Sequence, residues 1–323
     1  MTSEAVSCRR CTSPFEDGDL RCAVCGAAAP ATVQDDRAEA TVKVLRCEGC
    51  GAAVSYNVTA RAPQCAFCGS IVHLELPEDP LEQAGLVLPF TVGRSRAEES
   101  FRQWQDSLGW FRPADLRSAS RLESLRALWW VGWAFDVDTL VSWTADSDAG
   151  ASRADWAPHA GQTELELDGI VVSASRGLTA RETSRLLPSY DLRSAREREP
   201  GDDPEVVVEQ FELRRAAARR HVRSELERLV AKRLQDGIIP GRRFRNVHTS
   251  VLARRLVTRR LGFPAWVIAY RYRGVLHRCV LSGQDAACLI GDAPISVARV
   301  ALAVFAAALG VVALAGLLSL IAS

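Results

Sequence analysis

Lysine, methionine and histidine are all scarce in this 323-residue chain. Only Lys43 and Lys232 are lysines, and there are one methionine, four tyrosines and five histidines. The lysine shortage is a bias toward arginine that we read as codon composition, because Lys and Arg together number 40 against 39 Asp and Glu. A formal charge of +1 excludes a globally basic nucleic-acid binder and a strongly acidic tail protein. The motifs of common enzymes are missing too: no GxxxxGKS/T phosphate loop, no GxSxG elbow, no HExxH, and no GxGxxG after a strand. His73, His159, His221, His248 and His277 are scattered over different elements. Asp136 and Asp138 form an acidic pair beside a tryptophan cluster, which a solvated strand end explains more simply than a catalytic dyad. No catalytic or small-molecule-binding residue is assigned, and the chain is expected not to be an enzyme. The N-terminus lacks the positive-then-apolar pattern of a secretory signal, so the cysteines are expected to meet a reducing cytoplasm.

Cysteine, by contrast, is abundant and unevenly placed. Eight of the ten cysteines precede residue 70. Cys8-x-x-Cys11 is followed by Cys22-x-x-Cys25-Gly26, and Cys47-x-x-Cys50-Gly51 by Cys65-x-x-Cys68-Gly69. A CxxC turn aims two thiolates at one point, and two such turns close a tetrahedron of sulfurs around a structural Zn2+. An iron site or a redox pair is the competing reading. Two zinc ions are therefore expected, each held by protein ligands alone and left without an open position for catalysis. Segments this short build little core, so the metal is expected to supply their folding energy. Strand-like stretches flank the second quartet, predicting a three-stranded ribbon of the transcription-factor-IIB type. Residues 1–76 hold seven basic and nine acidic residues, which argues against a phosphate-tracking surface.

Beyond Pro77-Glu-Asp-Pro80 the sequence predicts an α+β body over 85–294. Its expected elements are a strand near Gly85–Val92 and a helix over Arg94–Leu108, N-capped by Ser95 with Glu98 as the capping-box partner. Trp129, Val131, Trp133, Phe135 and Val137 are expected on one strand face, followed by a loop over Asp146–Ala160 and a strand over Thr163–Ser173. A short helix is expected at Thr179–Leu187, then a long Arg-rich helix from about Pro204 to Gly237. The last part reads as an antiparallel sheet with turns at Arg273-Gly274 and Gly283-Gln284, where a two-residue second turn would set Cys279 opposite Cys288 as packed thiols or a disulfide. Between Glu209 and Arg260 stand fifteen basic and five acidic residues, a local excess that suits anionic headgroups.

Several landmarks occur in order along the chain: Leu88-Pro89-Phe90, Trp104, Trp110-Phe111-x-Pro113, Trp133-Ala134-Phe135-Asp136, Ala269-Tyr-Arg-Tyr-Arg-Gly274, Ser282-Gly283-Gln284 and Gly291-Asp-Ala-Pro294. Over residues 45–320 the chain resembles a bacterial family of transcription-factor-IIB-type zinc-ribbon membrane proteins, often labelled primosomal protein N′-like. Val131 and Ala286 depart from that pattern, standing where proline and glycine are expected. The resemblance implies a zinc ribbon and a membrane helix, and it implies no established biochemical role.

The chain closes on Val300 to Ala322, 23 residues without a charge. At about 1.5 Å per residue they span roughly 34 Å, enough for a hydrocarbon core of about 30 Å. Arg299 at its start places the preceding body in the cytoplasm. The sequence thus predicts an α+β protein with two zinc ribbons (1–30 and 41–76), a soluble body with an antiparallel sheet and an Arg-rich helix, and one C-terminal transmembrane helix (298–322). It is expected at the inner cell membrane as a single-pass adaptor or scaffold whose partners are the lipid bilayer and another protein. The alternative is a membrane-tethered regulator that binds nucleic acid.

Overall fold

The computed structural model describes residues 6–16, 19–30, 44–47, 53–55, 72–75, 84–150, 155–198 and 206–321. Three short strands lie in the region of the second quartet: β1 (Val44–Cys47), β2 (Ala53–Ser55) and β3 (Val72–Glu75), antiparallel in the order β2-β1-β3. This is the three-stranded arrangement the sequence predicts. Cys47 ends β1 opposite Val72, whereas Cys50, Cys65 and Cys68 lie outside the described residues.

Two very long strands organise the body. After β4 (Leu86–Val87) and α1 (Arg94–Ser107), a single turn α2 (Leu116–Ala119) leads into β5, which runs from Ser120 to Ser147. It pairs antiparallel with the 29-residue strand Phe244–Tyr272. At roughly 3.3 Å per residue β5 would be about 90 Å long if straight. Register shifts at Leu122/Ser124, Asp138/Thr139 and Thr144/Asp146 add bends and twist. Next come β6 (Ala157–Ser173), the capped helix α3 (Ala180–Leu186), β7 (Val207–Val208) and α4 (Arg215–Gly237). With β8 as Phe244–Tyr272, the chain closes through β9 (Val275–Ser282), β10 (Leu289–Gly291) and α5 (Val297–Ile321). The body sheet has the order β10-β9-β8-β5-β6, with β4 beside β8 and β7 beside β5.

Burial explains why β5 is a strand. Of the five residues expected on one face, Val131, Trp133, Phe135 and Val137 pack together under α4, while Trp129 packs with Val87 and Val206. Trp130 and Ala134 are equally buried on the other face with Tyr190 and Phe263. Each central indole N–H has an acceptor: Trp129 bonds to the Leu88 carbonyl, Trp130 to the Tyr190 hydroxyl and Trp133 to the Leu213 carbonyl, at 2.8–3.1 Å. The tryptophans are thus core rather than the lining of a cleft.

Several expectations need correction. Helix α4 begins at Arg215, not near Pro204, because Val207 and Val208 pair with Leu128 and Trp129 of β5; β-branched residues favour that ladder. Helix α1 starts one residue before Ser95, with Gly93 as its N-cap and no side-chain cap bond; Glu98 pairs with Arg94 instead. The loop expected over 146–160 is trimmed at both ends, since β5 continues to Ser147 and β6 starts at Ala157. The Arg273-Gly274 turn is as expected, with φ of 47° and 83° at its two residues. The second turn is wider. Ser282 Oγ accepts from the amides of Gln284 and Asp285, so Cys279 faces Gly291 and not Cys288. The two cysteines are free and pack in different cores.

The residues that carry the family resemblance hold this end of the sheet together. Phe90 lies against Trp129 and Trp266 with centroids 5.5 and 5.6 Å away. Gln284 donates to the Pro89 carbonyl and accepts from the Asp191 amide. A Cβ on Gly283 would lie 2.5 Å from Pro264, and one on Gly291 would overlap Cys279.

Among the described residues no helix is long and apolar enough to cross a membrane. The side-chain surroundings of α5 are described as far as Val311.

Candidate metal centre and its seat on the sheet

The four cysteines of the first quartet converge. The sulfurs of Cys8, Cys11, Cys22 and Cys25 all lie within 4.8 Å of one another. Cys8 Sγ is 3.6 Å from Cys25 Sγ, and Cys11 Sγ is 3.5 Å from Cys22 Sγ. Disulfide sulfurs would be about 2.05 Å apart. A tetrahedral ion with metal–sulfur distances of about 2.3 Å sets its sulfurs about 3.8 Å apart, so this donor set fits a metal.

Matched backbone turns build the cluster. In each half the second cysteine is followed by a left-handed residue, Thr12 at φ 59° and Gly26 at φ 73°. Each half closes through paired backbone bonds: Thr12 N–H donates to Cys8 O and Cys8 N–H to Ser13 O, while Gly26 N–H donates to Cys22 O and Cys22 N–H to Ala27 O. The Arg10 amide donates to Cys8 Sγ at 3.4 Å and draws that thiol down to about 6. Burial pushes the Cys11 thiol up to about 12.

The knuckle does not stand apart from the body. β9 covers β8 only over Ala265–Tyr272, which leaves the earlier half of that edge to be paired otherwise. Ser13 Oγ accepts from the Leu256 amide at 3.4 Å, and Glu16 Oε1 accepts from the Thr258 amide at 2.8 Å. Side chains between the two CxxC turns thereby cap an open sheet edge. An ionic cluster holds them from the other side. Asp19 takes Arg219 at 2.8 Å and Arg215 at 3.6 Å, and Glu16 takes Arg215 at 3.1 Å and Arg219 at 3.0 Å. Burial works against the Arg219 charge, but Glu16 and Asp19 outweigh it and hold the guanidinium above its ordinary value. Ala23 and Val24 add apolar contact with the core beneath α4.

The Arg-rich helix is thus partly spoken for. Its apolar stripe is Ala218, Val222, Leu226, Val230 and Leu234, each one turn from the next. Arg215 and Arg219 face the knuckle, while Arg220, Arg223, Arg228 and Arg233 stay exposed. The sequence marks the cysteines and the arginines, but not Ser13, Glu16 and Asp19; the acidic pair inside the first spacer was the available signal.

The acidic pair on β5 is no dyad. Asp136 accepts from the Gly169 amide and pairs with Arg259 at 3.1 Å, and Asp138 meets Arg255 at 3.8 Å. Both sit mid-strand rather than at a solvated end, each matched by an arginine on β8.

The chain matches no family model and no solved structure. It is similar to the Uncharacterized protein YdjG of Bacillus subtilis (strain 168), with 23% identity over 228 residues, covering 67% of this chain. The chain spans 65% of that relative's length.

Proposed function

We propose that the protein is a membrane-anchored adaptor: zinc ribbons on an α+β body, held at a bilayer by α5, with a protein partner and no chemistry of its own. The observation that carries this reading is the exposure of α5. From Val297 to Val311 every residue except Arg299 and Ala303 is exposed, with Val304 at 65%, Phe305 at 63% and Val311 at 67%. An apolar surface uncovered from Val297 to Val311 suits a low-dielectric medium, and the uncharged sequence that continues to Ala322 gives the bilayer reading its length. A closed four-thiolate set supports structural Zn2+ and not metal catalysis. Zinc at the second quartet, on Cys47, Cys50, Cys65 and Cys68, belongs to the same proposal, as does membership of the zinc-ribbon membrane family.

Nucleic acid is the weaker partner, because Arg215 and Arg219 are committed to Glu16 and Asp19. Metal analysis of the full chain should return about two zinc ions, falling to about one in Cys22→Ser and in Cys47→Ser. In-cell crosslinking should recover a protein partner that Cys47→Ser loses. Retention on nucleic acid that falls steeply with salt and disappears in Cys47→Ser would replace the adaptor with the regulator.

A further inference from the structure

The turn before α2 exposes two large aromatics side by side. Trp110 and Phe111 are each 51% exposed, with ring centroids 5.4 Å apart. A body that buries Trp129, Trp130 and Trp133 completely has no folding reason to leave this pair in water. The turn is strapped to the root of α5, nearly two hundred residues away. The Ser296 amide donates to the Phe111 carbonyl at 2.8 Å. Arg299 Nη1 donates to the carbonyls of Trp110 and Arg112, at 2.8 and 3.0 Å, and its guanidinium lies 5.6 Å from the Trp110 ring centroid. Arg112 in turn donates to the Ala293 carbonyl. The exposed Ile295 and Val297 continue the apolar surface onto the helix.

We propose that the Trp110-Phe111 turn inserts into the headgroup region of the bilayer and fixes the tilt of the body on the membrane. The proposal rests on the membrane reading of α5. Amphipathic indole rings collect at the membrane–water boundary, and an arginine at the cytoplasmic root of a spanning helix belongs at the same depth. The straps matter because a helix alone leaves its body free to swivel. Three hydrogen bonds from Ser296 and Arg299 make turn and helix one rigid unit, so the depth of α5 sets the depth of the rings. Lipid is favoured over a protein as the occupant because the patch is continuous with the uncovered apolar surface of α5 and has Arg299 at its centre.

The test uses the full chain reconstituted into vesicles of phosphatidylcholine and phosphatidylglycerol brominated near the headgroup end of the acyl chains. Of the eight tryptophans, Trp110 is the exposed one, so quenching of tryptophan emission should be strong in the native chain and largely lost in Trp110→Phe. Trp156→Phe, on the β5–β6 hairpin beneath Arg243 and Arg245, should leave the quenching in place. Co-flotation of all three chains with equal quenching in Trp110→Phe would overturn the proposal while the anchor stands. Equal access of aqueous iodide to Trp110 with and without vesicles would do the same, and would leave the patch to water or to a protein. Failure of the native chain to float would overturn both the anchor and the proposal.

Discussion

Glu209 is the residue whose surroundings contradict its charge. It lies fully buried where β7 leaves β5, and its Oε1 accepts from the amides of Arg176 and Gly177 at 3.0 and 2.9 Å. Oε2 is buried without a hydrogen-bond partner. Burial pushes the carboxyl up from 4.5 to about 7, against the pull of the Gly177 amide. Since the folded value lies above the unfolded one, the native state holds an extra proton between about 4.5 and about 7. Stability is therefore full below that window and is lost as pH rises through it. Glu209→Gln keeps the acceptor oxygen and removes the titration. Its unfolding free energy should be level across the window, and at about pH 8 it should exceed that of the native chain by about 3 kcal/mol. A native profile just as level would refute the assignment. Gly26 makes a second case. A Cβ there meets nothing within 4 Å, so the φ of 73° alone penalises Gly26→Ala. The cost of about 1 kcal/mol should appear as a roughly five-fold faster loss of metal to a chelator.

Among the elements, the knuckle and the edge of β8 depend on each other, and neither is legible alone. Repeating CxxC spacing reveals four ligands because metal chemistry is local in sequence. The seat beneath them is not, since Asp19 meets Arg219 across 200 residues. Local pattern likewise predicts α1, α3 and the Arg273-Gly274 turn. It misplaces the start of α4, where the valines before Glu209 read equally well as helix or strand and only pairing with Leu128 and Trp129 decides. The width of the Ser282 turn escapes it too, being set by one hydroxyl gathering two amides. Arg219→Ala tests the seat. It leaves Asp19, only 5% exposed, without its closest cation, which should cost about 3 kcal/mol. Hydrogen exchange at the Leu256 and Thr258 amides should then quicken while the Val267 and Ile268 amides, covered by β9, keep their protection. Unchanged exchange at Leu256 and Thr258 would show that the knuckle does not guard the edge.

At the scale of the whole molecule, the near-neutral charge is a sum of unlike parts, and the fold decides which of them meet. Two arginines of the Arg-rich helix are neutralised by the acidic spacer of the first knuckle, and Arg259 and Arg255 of β8 by Asp136 and Asp138. The long, twisted β5–β8 ribbon carries these contacts through separate cores, so its two ends have different duties. The α4 end seats the metal knuckle, and the β9 end carries α5. Near the root of α5, Ala293 packs in the same apolar cluster as Tyr270, Tyr270 donates to the Asp292 carbonyl and Arg112 to the Ala293 carbonyl. Beyond Arg299, no hydrogen bond or ion pair joins the described part of α5 to the body. Removing residues 300–323, which leaves the Ser296 and Arg299 contacts to the Trp110-Phe111 turn in place, should therefore move the chain from the membrane pellet to the soluble fraction while its zinc content is unchanged. Its unfolding free energy should change by no more than about 0.5 kcal/mol, the scale of a surface change. A truncated chain that loses zinc or unfolds would mean that α5 is part of the core. One that stays in the pellet would mean that the body has a second hold on the membrane, for which the exposed Trp110 and Phe111 at the surviving end are the first place to look.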